Sequence, residues 1–221
     1  MSTHRKQIAY ADLRPHFRDG MTIMFGGFMA CGTPEGIVKE LLDSGVKDLT
    51  VIGNDTATPE LGIGVLIAQR RVRKVIASHI GTNPETGRQM IAGELEVELV
   101  PQGTLAERIR CGGAGLGGVL TPTGVGTVVE EGKTKLRIGG VDYLVEQALR
   151  ADLAIVQAHQ ADTKGNLMYR RAARNFNPLI AMAADFVVAE VSEIVEAGKI
   201  DPDLVMTPGV VVDALILSGG K

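Results

Sequence analysis

A chain of 221 residues allows one large domain or two small ones, and a single domain over residues 1–221 is expected. Hydrophobic residues at 45% supply a sizeable core, while 28 glycines and an aromatic content of only 4% favour a tightly turned α/β core over an aromatic-lined nucleic-acid binder. Lys and Arg total 23 against 26 Asp and Glu, a net charge of −3 with no basic block, so no nucleic-acid partner is expected.

The first 17 residues hold no apolar core of secretory-signal length, and no later segment reaches the roughly 18 apolar residues that span a membrane. The expected location is the cytoplasm, with no membrane partner. Residues 8–18 read as a short helix ended by Gly20. Residues 21–25 form an apolar run of strand length, and Gly26 and Gly27 follow at once. Two glycines permit positive φ and close approach of another molecule to the backbone. Thr33, Pro34 and Glu35 read as the N-cap, first position and dipole partner of a helix. That helix carries Ile37, Val38, Leu41 and Leu42 on one face and stops at Gly45. Strand, glycine loop and helix together present N–H groups to an anion or a developing oxyanion. The glycines taken alone fit a tight structural turn equally well. Cys31, inside the loop, reads as a small space-filling residue. It is far from Cys111 with no metal-like spacing, so both are expected as free thiols in a reducing compartment, with no metal site.

Residues 49–52 read as a strand ending in Gly53, Asn54, Asp55 and Thr56. Small polar residues there either face a ligand at the carboxyl edge of a parallel sheet or form a turn. Residues 72–78 are a further strand, followed by His79, a turn over 81–84 and a helix to about Ala92. Residues 95–100 alternate, with Glu96 and Glu98 on a wet face, as near a sheet edge. Thr104 to Glu107 spell a capping box for a helix ending at Gly112. Gly113 to Gly118 match G-x-G-x-x-G, but a helix precedes them and Pro122 and Gly124 follow. The dinucleotide reading thus lacks its context, and a mobile or ligand-facing loop is expected. Residues 136–144 read as a hairpin about Gly139 and Gly140. After a strand at 153–157 come His159, Asp162 and Lys164, an acid–base cluster or, preferably, a polar loop with a turn at 164–166. Arg170, Arg171 and Arg174 suit either a phosphate or a solvated face. Residues 180–184 read as helix and 186–191 as a last strand. Val210, Val212, Leu215 and Ile216 keep the tail apolar for packing on the domain or on a partner. Strands alternating with helices give an α/β fold. A largely parallel open sheet with helices on both faces and a small β-hairpin insertion is expected.

The order Asp19-Gly20, two residues, three apolar residues, Gly26-Gly27-Phe28, three residues, Gly32, one residue, Pro34 resembles the first signature of family I CoA-transferases. VIASHIGTNPETGR (75–88), VPQGTLAERIRCGGAG (100–115), TPTGVGTVVEEGK (121–133) and ARNFNP (173–178) resemble the α subunits of bacterial acetate–acetoacetate CoA-transferases. They are also similar to the N-terminal half of succinyl-CoA:3-oxoacid transferases. The resemblance covers nearly the whole chain. It implies the CoA-transferase fold and ping-pong transfer of CoA from an acyl-CoA to a free carboxylate through a glutamyl–CoA thioester. Coenzyme A is then a substrate, and no permanently bound cofactor is implied. It also implies that Gly26, Gly27, Phe28, Met29, Ala30, Cys31 and Gly32 form a CoA-binding loop. Gln102, in a turn over 101–104, resembles a residue near the reacting carbonyl. The family's nucleophile lies in a Ser-Glu-Asn-Gly motif on the β subunit. This sequence has no such motif, because its Ser192-Glu193 is followed by Ile194. A β-subunit partner, as α2β2, is therefore expected, with Glu35 the nucleophile only if the chain acts alone. A sensing or assembly module on the same fold is the alternative, and it lacks the helix-turn-helix that would mark a regulator.

Overall fold

Alternation along the apolar strands sends side chains to two faces, and both faces are covered. The computed structural model describes residues 6–219. The reading of the N-terminus therefore falls partly on residues 1–5, which lie outside the described residues. The chain passes through a 3₁₀ turn (Tyr10–His16), β1 (Thr22–Phe25), α1 (Glu35–Ser44), β2 (Leu49–Asp55) and α2 (Ile63–Ala68). It continues through β3 (Val72–His79), α3 (Pro84–Ile91), β4 (Glu96–Leu99), α4 (Gln102–Gly113) and β5 (Gly118–Thr121). There follow β6 (Lys135–Ile138), β7 (Val141–Gln147), β8 (Ala151–Asp162), β9 (Leu167–Met168), α5 (Asn177–Ile180), β10 (Ala184–Val195) and β11 (Ala214–Leu217).

The main sheet has eight strands, ordered β11-β10-β8-β1-β2-β3-β4 with β9 paired to β8. Every pair along that path is parallel. Only the short return strand β9 is antiparallel. Ile23 and Phe25 of β1 pack with Ile37, Val38 and Leu41 of α1 and with Leu66 and Ile67 of α2. Met24, between them, faces the opposite core, with Leu105 and Ile109 of α4 and Ile180 of α5. This is the expected largely parallel open sheet with helices on both faces. β4 lies at its edge, as the Glu96 and Glu98 alternation implied.

The insertion is larger than a hairpin. β6 and β7 turn at Gly139 and Gly140, whose φ values of 59° and 81° suit a tight hairpin turn. β5, drawn from the glycine-rich region expected to be loop, pairs with β7 to make a three-stranded antiparallel sheet. Arg108 fastens this sheet to the body, its Nε lying 3.9 Å from Glu146 of β7. Arg108 of α4 meets Glu98 of β4 at 2.7 Å and donates to the Gln147 carbonyl at 2.8 Å. Lys133 meets the buried Glu146 of β7 at 2.6 Å.

Other boundaries shift for local reasons. Residues 10–16 wind as 3₁₀ rather than as a longer helix, with Pro15 inside the turn. α1 begins at Glu35 with Pro34, not Thr33, at the N-cap; the Thr33 hydroxyl instead donates to the Gly26 carbonyl at 3.3 Å. α4 begins at Gln102, ahead of the expected capping box, so Thr104 lies buried within the helix and Pro101 occupies the cap. Ile180 ends α5, and residues 181–183 turn directly into β10 rather than extending a helix. β10 is not the last strand, since the apolar tail forms β11 beside it. β8 and β10 each run 12 residues, longer than expected, because they pair with one another from Ala151↔Ala184 to Asp162↔Val195. Ser192-Glu193 therefore lies in a strand, with Glu193 accepting from Gln160 at 2.8 Å. The six-residue α2 was not foreseen, because IGVLIA is apolar throughout and carries neither period.

Candidate active site

Parallel strands place their carboxyl ends on one edge, and two loops of the same design stand there after β1 and β2. In the first, Phe28 and Cys31 exchange N–H···O bonds of 3.0 and 2.9 Å around Met29 and Ala30. Those two residues have φ of 47° and 66°, uncommon for non-glycines. In the second, the Leu61 amide donates to the Thr58 carbonyl at 3.2 Å, with Ala57 at φ 50°. Asp55, buried at the end of β2, joins the two loops. One of its oxygens accepts from the Met29 amide at 2.9 Å and the other from the Ala57 amide at 2.7 Å. These bonds over-determine the strained turn and hold it in one geometry.

The segment between the 3₁₀ turn at 171–174 and α5 clamps the first loop from the other side. Asn175 accepts from the Gly27 amide at 3.1 Å and donates to the Cys31 carbonyl at 2.9 Å. Asn177 donates to the Gly32 carbonyl at 2.9 Å and accepts from the Gln157 amide at 2.9 Å. A Cβ on Gly26 would lie 1.8 Å from the Asn177 side-chain oxygen, and one on Gly27 2.1 Å from the Thr33 hydroxyl. A Cβ on Gly32 would lie 2.8 Å from the Ala173 carbonyl. The glycines are thus required by the chain's own packing. The amides of Gly26, Gly27, Phe28, Met29 and Cys31 are all donated within the chain. Among the described residues, those of Ala30 and Gly32 donate to nothing.

Gln102, expected in a turn, stands instead on the first turn of α4, where the helix fixes its direction. Its side-chain amide donates to Asn54 at 2.6 Å, leaving one N–H free. Asn54 in turn donates to Asp55 at 3.2 Å, and its backbone carbonyl accepts from Ser78 at 2.7 Å. A continuous hydrogen-bonded line therefore runs from α4 to the glycine loop. Beside it opens a groove of ≈ 430 Å³. Its apolar lining comes from Phe28, Phe176, Ala106 and Ala172, next to Gly103; its polar lining is the amides of Asn54, Gln102 and Asn175. Phe28 is 45% and Met29 53% exposed, so the tip of the glycine loop offers unpartnered apolar surface. No charged side chain lines this groove among the described residues.

The remaining candidates separate. Glu35 accepts from the Gly62 amide through both oxygens, at 3.1 and 3.2 Å, and does not line the groove. Partial burial raises its pKa against the opposing effect of that amide. Asp162 closes the turn at 164–166, accepting from the Lys164 and Asn166 amides at 2.9 and 3.0 Å, which favours the polar-loop reading over an acid–base cluster. Cys31 is exposed, not space-filling, because its backbone rather than its side chain makes the turn. Cys111 is buried, and both thiols are free. Arg170, Arg171 and Arg174 are exposed and form no ion pair among the described residues. Sequence reading assigned no role to Asn175, Asn177 or Phe176. The N-F-N-P run was their one signal, since asparagines that bracket an aromatic residue are apt to bind backbone.

Among the described residues, no cluster of three or more metal-ligating side chains exists, and no helix is long and apolar enough to cross a membrane. Residues 8–218 match the model of a family described as Coenzyme A transferase. The acetate CoA-transferase subunit alpha of Escherichia coli K12 is 63% identical over 213 residues, covering 96% of this chain and 97% of that one. The acetoacetyl-CoA:acetate/butyrate CoA transferase alpha subunit of Clostridium acetobutylicum is 50% identical over 211 residues, covering 96% and 97%. An acyl-CoA transferase of E. coli O157:H7, solved as a thioester complex with CoA, superposes with a TM-score of 0.85 at 19% identity. That match covers 96% of this chain but 46% of the other, and at this identity it speaks for the fold alone.

Proposed function

The chain belongs to the coenzyme A transferase family, and from that premise we propose that it is the α half of a heteromeric transferase. Its reaction moves CoA between a short-chain acyl-CoA, such as acetyl-CoA or succinyl-CoA, and a short-chain fatty acid or 3-oxoacid such as acetoacetate. The observation that carries this reading is the groove itself. It joins apolar lining to amide donors at the carboxyl edge of the sheet, and it contains no carboxylate to attack a thioester. Half of a site is what such a groove supplies.

The missing nucleophile is a glutamate of the partner β subunit. Its carboxylate adds to the thioester carbonyl and expels CoA as thiolate, leaving an acyl-glutamyl anhydride. The thiolate then attacks the glutamyl carbonyl, releasing the first acid and forming the glutamyl–CoA thioester. The acceptor carboxylate reverses both steps. No water is consumed and no electrons change hands. Residues 26–32 border the CoA thioester; the open amides of Ala30 and Gly32 and the free N–H of Gln102 are the donors available to a developing oxyanion. The assembly is α2β2 and works in the cytoplasm.

Purified alone, the chain shows no exchange between acetyl-CoA and acetoacetate. Adding the β subunit produces transfer with ping-pong kinetics. Borohydride then inactivates the complex once acyl-CoA is present, by reducing a thioester on the partner. Mass spectrometry that locates the adduct on Glu35, or on any glutamate of this chain, would overturn the half-site reading. So would robust transfer by this chain without a partner.

A further inference from the structure

The three-stranded sheet β5-β7-β6 turns its charged side inward. Leu144 and Glu146 of β7 are buried, so the face they share lies against the body. The alternate residues of β7, Val141, Tyr143 and Val145, take the outer face. Their cross-strand partners Ile138, Leu136 and Leu120 share it. Leu120, Leu136, Ile138 and Val141 are 40–52% exposed, and Tyr143 and Val145 are half-buried. An antiparallel sheet with one wet side ordinarily places its polar residues there. Here Lys135, Arg137 and Asp142 instead share the side of Leu144 and Glu146. Six apolar side chains on three strands face outward with no charged residue among them, which marks an interaction surface.

The charges at its rim are balanced within the chain. Lys135 pairs with Glu130, and the Arg137 Nε lies 3.8 Å from Asp142. A strongly acidic or basic partner gains nothing from such a rim. A second copy of this chain brings the same apolar face and the same balanced rim, so no like charges accumulate. Two such faces stack as sheets about 10 Å apart. Position along α4 agrees. The groove lies at the first turn of that helix, at Gln102 and Gly103. The sheet is tied to its later half, where Arg108 donates to the Gln147 carbonyl, and follows its last residue, Gly113. The helix is about 18 Å long, so a copy seated on the sheet leaves the groove to the β subunit.

Resting on the α2β2 assembly proposed above, we infer that the outer face of this sheet docks against the same face of a second copy, so that the two α subunits meet directly about a twofold axis. Three strands about 4.8 Å apart and four residues long give roughly 200 Å² in plan. Leu116 and Val128, in the segments on either side of β5, add exposed apolar surface. The patch is still well below the about 800 Å² per partner of a standard stable complex. The contact is therefore weak between isolated chains and is completed where each copy also holds a β subunit.

Sedimentation equilibrium of the full chain, alone and with its β subunit, tests this. The chain alone moves from its 23.4 kDa mass toward a dimer at concentrations of about 10 µM to 1 mM, the range of a weak contact. Leu136→Glu and Ile138→Glu abolish that shift and reduce the α2β2 complex to αβ. Both positions are exposed, so the thermal melt of the monomer is unchanged. Mixing Leu136→Glu with Leu136→Lys restores dimers, because opposite charges then meet across the contact. A wild-type chain that stays monomeric throughout this range would overturn the inference. Dimers that survive both glutamate substitutions would do the same. Loss of β-subunit binding in Leu136→Glu would assign the face to the β subunit instead and also overturn it. Transfer assayed on the same wild-type complex reports separately on function: dimers without transfer would remove the transferase reading and leave this face assigned.

Discussion

Gly27 has a φ of 123°, and its missing Cβ would fall 2.1 Å from the Thr33 hydroxyl. Any side chain there strains the backbone and pushes the loop off Thr33 as well. Gly27→Val in the assembled enzyme lowers kcat by about 10²-fold or more, because displacement by about 1 Å is enough for that. Circular dichroism checks that the fold survives, and unchanged turnover would remove the loop from the active site. Asn175 holds the same loop through Gly27 and Cys31. Asn175→Ala strands those groups and costs about 1–3 kcal/mol in urea unfolding, with transfer reduced. Cys31 gives the contrasting result. Its thiol is exposed, so Cys31→Ala changes stability by less than about 0.5 kcal/mol and keeps transfer.

α1 is capped by a side chain of β10 rather than by its own N-terminal residues. The buried Glu190 of β10 accepts from the Ile37 amide at 2.9 Å. Burial raises the Glu190 pKa, with the Ile37 and Gly36 amides and the Tyr10 hydroxyl pulling the other way. Burial and the nearby Glu190 push the Tyr10 phenol up to about 12. A raised carboxylate pKa means that the folded state holds its proton more tightly than the unfolded chain does. The stability this contributes is present below about pH 4.3 and is lost as pH rises through the raised value. Glu190→Gln keeps an acceptor for the helix amides and removes the charge. The Tm of the variant minus that of wild type therefore increases between about pH 4 and pH 7. A difference that is flat or falls with pH would show that burial does not govern this cap. α4 depends on charge differently. Arg108 is 8% and Glu146 2% exposed, and Arg108 also pairs with Glu98. Arg108→Ala removes one partner from Glu98 and from the Gln147 carbonyl, while Lys74 stays with Glu98 and Lys133 with the buried Glu146, and it costs about 1–3 kcal/mol in denaturant unfolding.

The tail closes the whole molecule. Ala214, Leu215 and Ile216 are buried beside β10, and Leu215 also pairs with the N-terminal segment at Gln7. Leu215 and Ile216 are worth roughly 1.5–3 kcal/mol each in burial, a large part of a typical stability of about 5–15 kcal/mol. A chain ended at residue 208 thus loses its cooperative thermal transition in circular dichroism. A native-like melt would show β11 to be an accessory strand.

Strand and helix identities along the first half of the chain were legible in the sequence, because the 2-residue and 3.6-residue periods are local properties of the backbone. The glycine loop was legible as a motif. Contacts between residues distant in sequence were not legible. The clamp of Asn175 and Asn177 on Gly26 to Gly32 spans about 145 positions, and its sign in the sequence is only four letters. α1 borrowed its cap from Glu190, 153 positions away, and so Thr33 was free for the loop. β5 needed β7 as a partner before a glycine-rich segment could become a strand. Spacing along the chain set which residues were available to the site. The packing of β2, α4 and the 175–177 segment around one loop decided which amides stayed open and where the groove lies, because those contacts exist only once the parallel sheet has brought its carboxyl ends to a single edge.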